Sequence, residues 1–188
     1  MVADYSPSSR GNLCPGCARR LPFTKVFVVG ERVGALKKLV GDHKYFSERE
    51  SARPIAELLS AVLPDDLPSD MVIVPLPTIP KHIRQRGFDH TKLAARRLSR
   101  IRKIPMDTGI LRRTNNISQH SATSAERRTQ AEKSFRVNPR AKISPKILLV
   151  DDIYTTGATT TAAAKLLSDH GATEIWLAVV ARQVKDSN

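Results

Sequence analysis

An α/β fold on an open, mainly parallel sheet with helices on both faces is predicted by three features of the sequence. Residues 71–74 (MVIV) and 146–150 (KILLV) are continuous apolar runs without polar alternation, the pattern of strands buried on both faces. From residue 146 to 181 a strand, a helix and a second strand follow one another, and two parallel strands need such a crossover. A chain of 188 residues, 40% hydrophobic and 26% charged, is long enough to bury a core and has the composition of neither a membrane bundle nor a disordered chain.

The elements follow in order. Residues 1–12 are polar and rich in Ser and Gly and read as a disordered lead, followed by a knuckle-like turn at Cys14-Pro-Gly-Cys17. Residues 24–29 read as a strand and 31–40 as a short helix. In 51–63, Ile55, Leu58, Leu59 and Val62 recur at helical spacing, with Pro54 tolerated in the first turn. After the strand at 71–74, residues 75–89 are expected to be a loop, and 91–101 a basic amphipathic helix with Ala94, Leu98 and Ile101 inward. Residues 112–133 carry almost no large apolar side chain and read as a long polar mobile loop, a length usually reserved for lids or disorder. A strand at 146–150, a helix at 157–170 closed by Gly171 and a strand at 174–181 complete the chain. The division expected is a lead with a half zinc knuckle over 1–24 and one domain over 25–188.

Charge is concentrated. The formal net charge is +13, and residues 81–140 hold sixteen basic against four acidic side chains, so this third carries nearly all of it. Such a field attracts polyanions, whether nucleic acid or a small phosphorylated substrate. No apolar run approaches the ~18–20 residues that span a bilayer. The start MVADYSPSSRG lacks the apolar stretch of a secretory signal, so no membrane partner and a cytoplasmic location are expected.

Directly after KILLV comes Asp151-Asp152-Ile153-Tyr154-Thr155-Thr156-Gly157-Ala158-Thr159, opening a helix. Ligands of open α/β sheets bind beyond the carboxyl ends of strands, where this segment falls. The Thr/Gly turn offers backbone N–H groups, hydroxyls and a helix N-terminus to a phosphate, and Gly157 allows close approach. The adjacent carboxylates repel phosphate and must face ribose hydroxyls or a divalent cation. A ribose 5-phosphate meets both demands; paired acids at a strand end, as in response-regulator receivers, or a plain helix cap are the alternatives.

The segment ILLVDDIYTTGAT resembles the phosphoribosyl pyrophosphate (PRPP) motif of type I phosphoribosyltransferases. The wider chain is similar to the ComF family, through HKYFSERESARPIAELL at 43–59, VIVPLPTIPKHIRQRGFDHTKLA at 72–94, Gln119 with Ala125-Glu126-Arg127, Phe135 and the closing EIWLAVVAR. The resemblance implies a type I phosphoribosyltransferase-like sheet and a PRPP-binding, magnesium-dependent transferase, with Asp151 and Asp152 as catalytic residues holding the ribose hydroxyls and magnesium. It gives the 5-phosphate to Thr155, Thr156, Gly157, Ala158 and Thr159, and pyrophosphate to Pro75, Leu76, Pro77, Arg84 and Arg86. It makes residues 112–135 a flexible hood containing Gln119, Glu126 and Arg127. The family's Gly-Phe-Asn-Gln stands here as Gly87-Phe88-Asp89-His90, and His90, weighed as a general base, has no orienting partner visible in the sequence.

ComF relatives carry a four-cysteine zinc module, of which Cys14 and Cys17 resemble one half; zinc would need further ligands, from His43 or another protomer. The first reading is therefore a phosphoribosyltransferase with an unidentified acceptor. The second, by resemblance to competence proteins, is a PRPP- or nucleotide-binding protein without turnover that associates with nucleic acid or the competence machinery in DNA uptake or processing. A homodimer is a further partnership under either reading.

Overall fold

The computed structural model describes the backbone of residues 11–45, 52–114 and 133–183. The elements are α1 (Pro15–Ala18), β1 (Lys25–Glu31), α2 (Gly34–Tyr45), α3 (Ala52–Val62), β2 (Met71–Pro75), α4 (Pro80–Arg86), α5 (His90–Arg102), β3 (Leu111–Arg113), β4 (Phe135–Val137), β5 (Lys146–Tyr154), α6 (Ala158–Asp169) and β6 (Glu174–Arg182).

Four strands form a wholly parallel sheet in the order β1-β6-β5-β2. The continuous apolar runs are the reason: in β6 every residue from Ile175 to Ala181 is buried, which only a strand covered on both faces allows. Successive side chains enter opposite cores. Leu148, Val150, Trp176 and Ala178 meet α3 and α5 through Ile55, Leu59, Ala94, Ala95 and Leu98. Ile147, Leu149, Ile175, Leu177 and Val179 meet α6 through Ala163, Ala164 and Leu167. The two-stranded antiparallel β3–β4 pair adds Leu111 and Phe135 to that second core.

Several boundaries differ from the sequence reading. The segment 75–89 is not all loop: Pro80 starts α4, which buries none of its residues and so leaves no apolar period to read, and Gly87 in the left-handed region (φ 80°) ends it. β5 runs on through the acids to Tyr154 because β6 continues beside it, pairing Asp151 with Val179 and Tyr154 with Arg182. β1 likewise continues to Glu31, so the helix expected at 31–40 forms instead as Gly34–Tyr45. The ends of the expected hood, 111–113 and 135–137, are paired strands, clasped by Thr114 N–H to Ser134 O at 2.8 Å.

Residues 1–10 of the expected lead lie outside the described residues. From residue 11 on, the chain is tied to the sheet: Val26 N–H donates to Gly11 O at 2.8 Å, Asn12 bridges Lys25, and Leu13, Leu21 and Phe23 join the α6-side core. Among the described residues no helix is long and apolar enough to cross a membrane.

Candidate functional site

β2 and β5 run side by side with Pro75 in register with Val150, so both carboxyl ends open at one edge of the sheet. There lies a cleft of about 390 Å³, walled by residues 76–79 after β2, His82 and Arg86 of α4, His90 and Thr91 of α5, Arg113 of β3, and Asp151, Asp152, Tyr154, Thr155 and 157–160. That size is within the roughly 300–1,000 Å³ of small-ligand sites.

At its floor β5 passes into α6 through Gly157, whose φ of 73° lies in the left-handed region. A Cβ there would overlap the Tyr154 hydroxyl, so glycine is demanded twice, by backbone and by space. Burial raises the Tyr154 phenol above its ordinary pKa; nearby Cys17 adds to this and Arg182 opposes it. Gly157 at the N-cap has no side chain to cap α6, and apart from a long hydrogen bond from Ala158 N–H to Thr156 Oγ1 at 3.4 Å the start of this three-turn helix lines the cleft. Such a helix start favours an anion.

The two acids differ. Asp152 is nearly buried, and its Oδ2 lies 3.0 Å from Nε2 of His90, itself 5% exposed. Nδ1 of His90 is 3.3 Å from Nη1 of Arg86. A guanidinium has only donors, so Nδ1 accepts, Nε2 carries the hydrogen, and that hydrogen is donated to Asp152. Arg86, His90 and Asp152 thus form a chain that fixes the carboxylate. Asp151, half-buried, accepts the N–H of Asp152 on Oδ1 at 2.9 Å. His90 thereby gains the orienting partner that the sequence lacked, and both ring nitrogens are engaged.

Cations ring the cleft. Arg113 donates to Pro77 O at 3.3 Å and lies 5.1 Å from the Phe135 ring centroid. Burial pushes its pKa down from the ordinary value and the Asp151 carboxylate pulls it back up; an arginine so placed stays charged. Arg32 donates from Nη1 to Gln183 at 3.0 Å, while its buried Nε has no hydrogen-bond partner among the described residues. An unsatisfied buried donor in a cleft is what an anionic ligand would relieve.

Of the residues expected at the site, Asp151, Asp152, Thr155, Gly157, Ala158, Thr159, Leu76, Pro77 and Arg86 line this cleft. Thr156 and Arg84 are exposed and do not line it, and Pro75 is buried in the strand behind it. Gln119, Glu126 and Arg127 lie outside the described residues. The sequence reading passed over Arg32, Thr78, His82 and Arg113 as wall residues. Only the β3–β4 pairing, with its buried Leu111 and Phe135, turns Arg113 inward; the signal available was the apolar Phe135 opposite a basic strand.

No three His, Cys, Asp or Glu side chains cluster as a metal site among the described residues. Two carboxylates still fit magnesium, which is commonly held by one or two carboxylates together with substrate phosphates. Cys14 and Cys17 form no disulfide among the described residues, and the Cys17 N–H donates to Cys14 Sγ at 3.4 Å, which lowers the Cys14 pKa. They offer two of the four ligands of a structural zinc; the His43 side chain lies outside the described residues.

The chain matches the Phosphoribosyl transferase domain family over residues 85–187, more than half its length. It is 29% identical over 182 residues to Competence protein F of Haemophilus influenzae, covering 90% of this chain and 78% of that one. It is 27% identical to the DNA utilization protein YhgH of Escherichia coli K12 over 182 residues, 90% of this chain and 79% of that one. Competence protein ComFC of Bacillus subtilis is 35% identical over 112 residues, 60% of this chain and 43% of that one. Among solved structures, the allosteric regulatory enzyme of purine biosynthesis gives a TM-score of 0.49 at 17% identity, over 74% of this chain and 30% of that one. The match spans α5, the strand-end acids and the Gly157 turn, and with it the chain belongs to the phosphoribosyltransferase-domain family.

Proposed function

We propose that the cleft binds PRPP with magnesium and transfers the phosphoribosyl group to an acceptor, releasing pyrophosphate, as part of the cell's use of DNA. The observation that carries this is the meeting, in one cleft, of a Gly157-opened helix start, two strand-end carboxylates and a rim of Arg32, Arg86 and Arg113. Phosphate, ribose and pyrophosphate need those three surfaces in that order. The role in DNA use rests on the competence and DNA-utilization names of the relatives.

In this reading the turn at 155–159 takes the 5-phosphate on backbone N–H groups and hydroxyls. Asp151 and the His90-held Asp152 take the ribose hydroxyls, and residues 76–77 with Arg86 and Arg113 take the pyrophosphate. Transfer breaks the bond between ribose C1 and the pyrophosphate oxygen, which leaves with the electron pair, and forms a bond from C1 to the acceptor. Positive charge grows on the ring beside the two carboxylates while negative charge grows on the leaving group beside the arginines, so both ends of the transition state meet opposite charge. Magnesium, when bound, neutralises charge on the pyrophosphate.

Calorimetric titration of PRPP with magnesium tests this: wild type binds, and Asp151→Asn/Asp152→Asn does not. No binding by folded wild type ends the proposal. The reading without turnover draws on His90, whose ring nitrogens are both engaged, so that this histidine does not serve the acceptor as a base. PRPP binding with no pyrophosphate released across bases, amines and nucleotides would favour it.

A further inference from the structure

The cleft runs across the carboxyl edge of the sheet, from residues 76–79 after β2 to Arg32, which directly follows β1. In the order β1-β6-β5-β2 those two ends stand three strand spacings apart, about 14 Å. The transfer proposed above occupies the half at β5 and β2, through the turn at 155–159, the two carboxylates, residues 76–77, Arg86 and Arg113. Arg32 and Gly41, which also line the cleft, have no part in it.

Arg32 is fixed in place. Its backbone N–H donates to Arg182 O at 2.8 Å, Gln183 N–H donates to Tyr154 O at 2.8 Å, and Nη1 of Arg32 donates to Gln183 Oε1 at 3.0 Å, which ties three strand ends together. The rest of the guanidinium has no such use. Neither Nε nor Nη2 has a hydrogen-bond partner among the described residues, and Nε is buried. No carboxylate among the described residues stands within ion-pair distance of Arg32. A buried donor without an acceptor, on a side chain that keeps its charge, is a cost that the fold itself does not offset. Nε and Nη2 share one edge of the guanidinium, whose two parallel N–H groups match the two oxygens of a carboxylate. Gly41 adds room. It stands in the interior of α2 with nothing within 4 Å of where a Cβ would be, so neither backbone nor packing demands a residue that weakens a helix, and what it leaves is space in the cleft.

Displacement at ribose C1 sets where an acceptor must stand. The pyrophosphate leaves toward the end of β2, so an acceptor attacking the opposite face comes from the side of β1 and β6. We infer that the Arg32 end of the cleft seats the acceptor and that the acceptor carries a carboxylate, held on both oxygens by the Nε–Nη2 edge of Arg32. An uncharged acceptor would leave this guanidinium without a counter-charge once the other arginines have met the pyrophosphate. A flat carboxylate needs only the one edge, which suits a guanidinium whose Nη1 is already given to Gln183. The acceptor role rests on the transfer proposed above; the carboxylate seat rests on Arg32 alone.

Nuclear magnetic resonance of the Arg32 Nε–H group in the isotope-labelled full chain tests this, with benzoate as the probe and benzamide as its uncharged twin. The signal is identified by its loss in Arg32→Lys. Benzoate is expected to move it, with PRPP and magnesium present or absent, and benzamide at the same concentration to leave it in place. Arg32→Gln is expected to weaken benzoate binding at least tenfold and to keep PRPP within threefold. Arg32→Lys, a cation without the fork, is expected to fall between, and Lys37→Gln, on an exposed position of α2, to stay within twofold of wild type. Unchanged melting temperatures certify the folds. Equal response to benzoate and benzamide, tighter binding of inorganic phosphate than of benzoate, or no response at all overturns the proposal. Loss of PRPP by Arg32→Gln overturns it as well, because Arg32 would then belong to the PRPP site. A wild type that binds benzoate at Arg32 and no PRPP would overturn the transfer reading and the acceptor role while the carboxylate seat stood; one that binds PRPP and no benzoate would overturn the seat alone.

Discussion

His90 holds Asp152 through Nε2, and its own ring is set by Arg86. It acts as a positioning residue, since its hydrogen ends on the carboxylate. Glutamine has a side-chain N–H₂ able to reach the same carboxylate, so His90→Gln is expected to keep PRPP affinity within about threefold, and His90→Ala to lose ten- to a hundredfold, about 1.4–2.7 kcal/mol, the scale of one charge-assisted hydrogen bond. Titration calorimetry reads both, and equal loss in the two would show that only packing matters at this position. Gly157 gives a sharper case. Alanine there meets a positive φ and the Tyr154 hydroxyl together, so Gly157→Ala is expected to cost about 1–3 kcal/mol in urea unfolding as well as phosphate affinity.

Each strand of the sheet is an element covered on both faces, and β6 bears most of that load between β1 and β5. Leu177, fully buried at its centre, packs on the α6 side. Leu177→Ala is expected to cost about 2–5 kcal/mol by urea denaturation, and a loss below 1 kcal/mol would mean that α6 collapses into the gap. The small residues of α6, Ala162, Ala163 and Ala164, let that helix sit close on the sheet and so fix its N-terminus, with Gly157, over the ends of β5 and β2. α4 shows the opposite case. It buries nothing and is held by Pro80 and Gly87 at its ends, yet it delivers Arg86 to His90.

For the whole molecule, binding that requires the folded cleft must stabilise the fold. PRPP with magnesium at a hundred times its dissociation constant adds about 2.7 kcal/mol, which for a chain of this size raises the melting temperature by roughly 5–11 °C. The shift is expected in wild type and in Arg96→Glu/Arg100→Glu and to vanish in Asp151→Asn/Asp152→Asn; a shift surviving the last change would place the ligand elsewhere. The charge of the middle third likewise divides at this scale. Arg86 and Arg113 turn inward to the cleft, and the outer row on α5, Lys92, Arg96 and Arg100, lies apart from it.

What the sequence determined by itself was whatever local pattern encodes. The apolar runs MVIV, KILLV and IWLAVVA pointed to the parallel sheet, because short unbroken apolar runs suit strands covered on both faces. The Asp-Asp and Thr-Thr-Gly order marked the end of β5, where the cleft lies. What only the tertiary structure decided were pairings between segments distant in the chain. His90 meets Asp152 across 62 positions, Arg113 is turned inward by its pairing with β4, and Arg32 reaches Gln183 across 151. Arg84 and Arg86, alike in sequence, part company because two positions on a helix face differ by about 200°, sending one to solvent and the other to the cleft. Periodicity fixes which face of an element is buried, and the packing of elements against one another fixes which side chains meet.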